Sequence, residues 1–134
     1  DKVVGGFDSS DFEGQIRDAI AIFDNDRFIP YKERIELVKG DIVQTVPDYV
    51  NNNPGMRISI LHCDVDLYQP TLVALRHLWP LVVQGGIVVF DEYAIRPWEG
   101  ESRAWDEFCA ESNIKLQIKR FDWAPNPGGY VVKE

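Results

Sequence analysis

One stretch, Ile58 to Tyr93, constrains this chain more than any other. It reads ISILHCDVDLY, then QPTLVALRHLWPLVVQ, then GGIVVFDEY. Ile58 to Cys63 is a short, mostly apolar run that stops at Asp64-Val65-Asp66, as a buried strand would. Pro70 suits the first turn of a helix, where its missing N–H costs nothing. Leu72, Leu75 and Trp79 recur at helical spacing up to Pro80. Gly85-Gly86 then breaks the chain ahead of a second buried run, Ile87 to Phe90, which ends at Asp91-Glu92. A strand, a crossover helix and a second strand predict two neighbouring parallel strands. Both acidic pairs would then stand at the carboxyl ends of adjacent strands, where open α/β sheets bind ligands.

Four carboxylates at two adjoining strand ends are costly unless a cation neutralises them. A hard divalent ion with oxygen ligands, Mg²⁺ or Ca²⁺, is the simplest solution. Strand alternation makes Asp64 the first candidate ligand and Asp66 the second. The bland alternative is that acids at strand ends cap helices or meet solvent, and Asp66 stands close enough to Pro70 to cap. His62 and His77 have no Cys or His partners at zinc spacing, and the tryptophans read as core or loop anchors. No nucleophile motif of the G-x-S-x-G kind occurs, and Ser9-Ser10 has no evident base.

Around this unit the chain alternates in type. Lys2 to Phe7 reads as a strand arriving at Asp8. Phe12, Ile16, Ala19, Ile20 and Phe23 fall on one helical face, and Asn25 to Tyr31 is loop. Ile35 to Val38 reads as a strand ending at Gly40-Asp41, Thr45 to Asn52 as a short helix, and Asn51 to Gly55 as a turn. Beyond Tyr93, Trp98 to Ser102 leads into a helix with Ala104, Trp105, Phe108 and Cys109 inward. Lys115 to Phe121 and Gly129 to Val132 read as strands joined by Pro125-Asn126-Pro127-Gly128 into an antiparallel hairpin. The expected order is β α β α β α β α β β, an α/β layered domain over residues 1–134.

The totals narrow the class. With 134 residues, 45% of them hydrophobic, and four Trp, the chain can bury a core and is not disordered. A formal charge of −8 argues against nucleic acid or an anionic membrane as partner. No apolar run suits a membrane span, and the start lacks a signal-peptide pattern. Two cysteines far apart, Cys63 and Cys109, read as separate thiols in a reducing, cytoplasmic setting.

Three segments carry a resemblance. LHCDVDLYQPT, GGIVVFDEY and PWEGESRAWDEF match, in order, a D-x-D-L-Y-x-x-T stretch, a G-G/T-hydrophobic-D-D/E-Y stretch and an E-x-x-A-hydrophobic-x-E-F helix. GGFDSSDFEG and LVKGDIVQTVP match two further segments. Together they resemble the macrocin O-methyltransferase-like family of S-adenosylmethionine-dependent methyltransferases. The resemblance implies a Rossmann-like methyltransferase sheet, mostly parallel, closed by a C-terminal antiparallel hairpin. On that template Lys2 to Phe7 is the second strand. The chain is then the carboxyl-terminal part of the fold, without the first strand and its glycine-rich cofactor loop. An unpaired strand edge would call for a rearranged sheet or a partner, such as a second copy in a homo-oligomer. The resemblance further implies that Asp8 binds the cofactor ribose and that Asp41 lies beside the adenine. It places Mg²⁺ on Asp64, Asp91 and Glu92, with Asp64 also helping to remove the proton of a hydroxyl on a sugar or other small acceptor.

Three other readings compete. A metal-dependent glycosyltransferase would use Asp64-Val65-Asp66 against a nucleotide diphosphate, but it gives Asp91-Glu92 no role. A non-catalytic α/β module suits the length and charge. The receiver-like version needs paired acids after the first strand and a lysine after the fifth, and has neither here. A degenerate methyltransferase remnant is the third reading.

Overall fold

The computed structural model describes residues 12–134. The expected strand at Lys2 to Phe7, together with Asp8, lies outside them. The described residues divide into two compact units, one reaching to Lys39 and one covering 40–134. In the first, helix α1 (Phe12–Asn25) forms where the apolar spacing predicts it. Its first turn is tied down by Glu13, which accepts from Arg17 and Lys39. Those partners hold the Glu13 carboxyl below its ordinary range, the Lys39 hydrogen bond contributing most. The strand expected at Ile35 to Val38 does not form, and residues 33–39 carry no regular secondary structure. Weak alternation does not fix a strand without a ladder partner, and none is present among the described residues.

The second unit holds helix α2 (Ile42–Asn52), strand β1 (Ile58–Cys63), helix α3 (Tyr68–Leu78), strand β2 (Val82–Phe90), helix α4 (Gly100–Ser112) and strand β3 (Gly129–Val132). Helix α2 starts three residues before the expected Thr45, because Asp41 caps it and accepts the Val43 amide at 3.0 Å. Asp66 does not cap α3. The N-cap is Leu67, which makes no side-chain bond, while Asp66 itself adopts φ 57°.

β1 and β2 run parallel as expected, and β3 lies antiparallel on the far side of β2, in the order β1-β2-β3. The Gly85-Gly86 pair does not end β2; the strand runs through it from Val82. Instead the register slips there, from Ile58↔Val82 to Ile60↔Ile87. A side chain on Gly86 would meet the Val83 carbonyl at 2.8 Å, so the absence of Cβ is what admits the irregularity. The hairpin expected at the carboxyl end is reduced. β3 pairs mainly with β2, and Lys115 to Phe121 contributes one bridge, Lys119↔Tyr130.

The core sits between the sheet and helices α3 and α4. Leu75, Val88, Phe90, Ala104, Trp105 and Val131 are fully or almost fully removed from water. Complete burial of each large apolar side chain is worth roughly 1.5–3 kcal/mol, so these residues set the relation of α4 to the sheet. Phe90 and Trp79 pack on Trp105 with ring centroids 5.2 and 5.6 Å apart. Cys63 and Cys109 are free thiols, and burial raises them to about 12 and about 11. Among the described residues no helix is long and apolar enough to cross a membrane.

Candidate active site

The end of the parallel pair builds the site. Cys63 is the partner of Phe90 in the ladder, and the Asp91 amide donates to the Cys63 carbonyl at 3.0 Å. The next residue on each strand is an acid, so the register brings Asp64 and Asp91 to the same end of adjacent strands. β1 alternates so that Cys63 turns into the core while His62 and Asp64 are exposed. His62 thereby reaches across to the neighbouring strand, with Nε2 3.4 Å from Asp91 Oδ1. The other Asp91 oxygen, Oδ2, accepts from Asn126 Nδ2 at 2.9 Å. The Gly128 amide donates to the Asp91 carbonyl at 2.7 Å, tying the loop before β3 to this strand end.

Glu101, in the first turn of α4, closes the site from below. Its side chain is fully buried, with Oε2 accepting the Glu92 amide at 2.9 Å. Oε1 is buried without a hydrogen-bond partner. Burial pushes this carboxyl up to about 7, against the pull of the Glu92 and Val65 amides. Asp91 and Glu92 add a smaller upward push through their charge. Glu101 therefore links the segments after β1 and β2 to the start of α4. Gly100 makes this approach sterically feasible, since a Cβ there would lie 2.2 Å from the Asp66 carbonyl oxygen. The Tyr68 hydroxyl donates to Glu107 at 2.5 Å, and Arg103 stacks over the Tyr68 ring at 4.2 Å. These contacts lock the D-x-D-L-Y stretch to α4.

The expected site residues fare differently. Asp64 and Asp91 come together at one sheet end, and Glu92 follows Asp91 directly. A three-acid ligand set is not assembled: among the described residues no group of three His, Cys, Asp or Glu side chains could hold a metal ion. Both Asp91 oxygens are engaged by His62 and Asn126. Asp41 is exposed at the start of α2, with one oxygen used in capping. Asp8 is outside the described residues. Sequence reasoning missed Glu101 and the His62–Asp91 contact. Glu101 did leave a signal: with Ala104, Trp105 and Phe108 it occupies i, i+3, i+4 and i+7, the buried stripe of α4.

The chain is similar to several known proteins. The family model for Macrocin-O-methyltransferase (TylF) matches residues 13–126. The 8-demethyl-8-(2,3-dimethoxy-alpha-L-rhamnosyl)-tetracenomycin-C 4'-O-methyltransferase of Streptomyces olivaceus is 33% identical over 63 residues, 47% of this chain and 23% of that protein. An apo structure of CalS11, described as a TDP-rhamnose 3'-O-methyltransferase in calicheamicin biosynthesis, is similar with a TM-score of 0.84 and 28% identity. It covers 94% of this chain and 54% of its own. The O-methyltransferase NovP is similar with a TM-score of 0.67 and 26% identity, covering 87% of this chain and 44% of its own. The chain thus spans about half the length of these solved relatives and 23% of the curated one. Its α/β layers and its sheet, parallel then antiparallel, correspond to part of their methyltransferase fold.

Proposed function

The chain belongs to the macrocin O-methyltransferase family, and from that premise we propose that the protein methylates a hydroxyl of a sugar-type small molecule, using S-adenosylmethionine. The observation that carries this reading is the register of β1 and β2, which sets Asp64 and Asp91 side by side at the ligand-binding end of a parallel sheet. Relatives named for rhamnose-linked substrates support the sugar class.

The donor, when bound, supplies an electrophilic methyl on a sulfonium. The acceptor oxygen forms the new C–O bond as the C–S bond breaks, and sulfur keeps the bonding pair. Such an in-line displacement depends above all on positioning. Asp8 and Asp41 are proposed to hold the donor at its ribose and adenine. The exposed Asp41 carboxylate suits that task, since its second oxygen has no hydrogen-bond partner among the described residues. Asp64 is proposed to accept the hydroxyl proton, a role worth typically 10²–10⁴-fold in such reactions. His62, held by Asp91, flanks it. Glu101 fixes the Glu92 amide and so the course of the chain after β2.

Asp64, Asp91 and Glu92 are also the proposed ligands of a divalent cation, which would acidify the acceptor hydroxyl. The described placement does not form that set, so no step is routed through it.

Calorimetric titration with S-adenosylmethionine tests the donor assignment. Micromolar binding, weakened by Asp41→Ala, is expected. Absence of binding by the folded protein would remove the donor and with it the reaction.

A further inference from the structure

The loop between the Lys119 bridge and β3 encloses a cavity of about 360 Å³, within the roughly 300–1,000 Å³ of small-molecule sites. Tyr93, Arg120, Phe121, Asp122, Trp123 and Gly128 contribute to its walls. We propose that this cavity is the acceptor subsite and that it takes the pyranose ring of the substrate sugar. The assignment rests on the methyl-transfer reading above and adds where, and by what contacts, the acceptor is held.

Three observations carry it. First, the cavity adjoins the acidic strand end. Tyr93 follows Asp91-Glu92, and the loop forming the opposite wall is fastened to Asp91 by the Asn126 side chain and the Gly128 amide. A Cβ on Gly128 would lie 2.4 Å from the Tyr93 carbonyl oxygen, so glycine is what lets the two walls meet. The cavity is thus joined to the acidic strand end through its Tyr93 wall and through the loop fastened to Asp91, while Asp64, Asp91 and Glu92 are not themselves among its lining residues.

Second, the wall is preformed and aromatic. Phe121 stacks on Tyr130 with centroids 4.9 Å apart and 26° between planes, and Trp123 lies 5.5 Å from Phe121. Trp123 is nonetheless 82% exposed. A large indole held open to water beside a cavity is surface available to a ligand, not to the core.

Third, the rim is charged on both signs. Arg120 and Asp122 bring opposite charges to the cavity wall, and the Arg120 charge acts on the Tyr93 hydroxyl beside it. Aromatic faces beside a guanidinium and a carboxylate suit a ring that is apolar on its C–H faces and hydroxylated at its edges. A pyranose has both features. A flat aromatic acceptor would use the rings and leave the two charges without partners.

Saturation-transfer NMR on the protein, with methyl α-rhamnoside and catechol as separate probes, tests this. The glycoside is expected to take up saturation at its ring protons, and Trp123→Ala is expected to weaken its binding by roughly tenfold or more. Donor affinity and the near-ultraviolet circular dichroism of the buried aromatics should stay as in the parent. Trp123→Phe, which keeps an aromatic face, should fall between. Glycoside binding indifferent to Trp123, no glycoside binding, or binding of catechol in its place would each overturn the assignment. Sugar binding that depends on Trp123 in a protein that transfers no methyl group would leave the subsite standing and remove the reaction. Methyl transfer to a sugar whose binding ignores Trp123 would do the reverse.

Discussion

Replacing Glu101 with Gln should change how stability depends on pH more than it changes stability at any one pH. The Glu101 side chain has no exposed surface, and burial pushes its carboxyl from the ordinary 4.5 up to about 7. Between those values the folded protein holds a proton that the unfolded chain releases, so stability falls as pH rises. Below the lower value both states are protonated, and above the upper one both are ionised. Across the window the loss is about 3 kcal/mol, at 1.36 kcal/mol for each pH unit between the two values. Gln cannot ionise, and its amide oxygen can still accept the Glu92 amide. Its NH₂ would replace the unpartnered Oε1, a cost of about 1–3 kcal/mol if it too stays unpaired, but one that does not vary with pH. Urea unfolding of parent and variant at about pH 5 and about pH 8 isolates the term, because the other carboxylates titrate alike in both. The parent should lose about 2.5 kcal/mol more than Glu101→Gln over that interval, since part of the window lies below pH 5. Equal losses would mean that Glu101 is not the buried, proton-holding group described.

Asp64→Asn should leave the fold intact, because the side chain is exposed, and lower kcat by about 10²–10⁴-fold in a methyl-transfer assay. Titration with Mg²⁺ tests the proposed cation ligands, and any binding heat must be offset by displacing His62 and Asn126 from Asp91, so no heat would remove the cation from the account. A heat that vanishes in Asp91→Asn is the result expected if Asp64, Asp91 and Glu92 converge on a cation. Gly128→Ala should destabilise the protein by roughly 1–3 kcal/mol by thermal unfolding, because its Cβ would meet the Tyr93 backbone.

Much of the frame was legible because local signals and tertiary demands agree in the central unit. β1 spans Ile58–Cys63, the apolar run as read, and Pro70 falls in the first turn of α3. Where a residue has two uses, the sequence favours the commoner one. Gly85-Gly86 reads as a break, yet the backbone passes through it as an irregularity inside β2 that lets the ladder with Lys133 form. Lys115 to Phe121 alternates like a strand, but β3 takes its partner from β2, and only Lys119 keeps a ladder bond. Asp41, read through the family as an adenine neighbour, also caps α2, a role visible in its place just before Ile42.

The site was legible where the strand ends carry it. The neighbours of Asp91 were not: His62 is 29 residues away and Asn126 is 35. A single exposed-looking histidine or a turn asparagine carries no pattern that joins it to an acid on another strand. Glu101 lay within a polar run that reads as a solvated helix start. Its helical spacing with Ala104, Trp105 and Phe108 marked it as buried, and burial of an acid is the stronger clue.

The most direct measurement is transfer of a labelled methyl group from S-adenosylmethionine to methyl α-rhamnoside, with the product resolved by NMR. The account predicts a new methyl ether on one sugar hydroxyl and its loss in Asp64→Asn. A folded protein that binds donor and sugar yet forms no methyl ether, or forms one equally well without the Asp64 carboxylate, would contradict it.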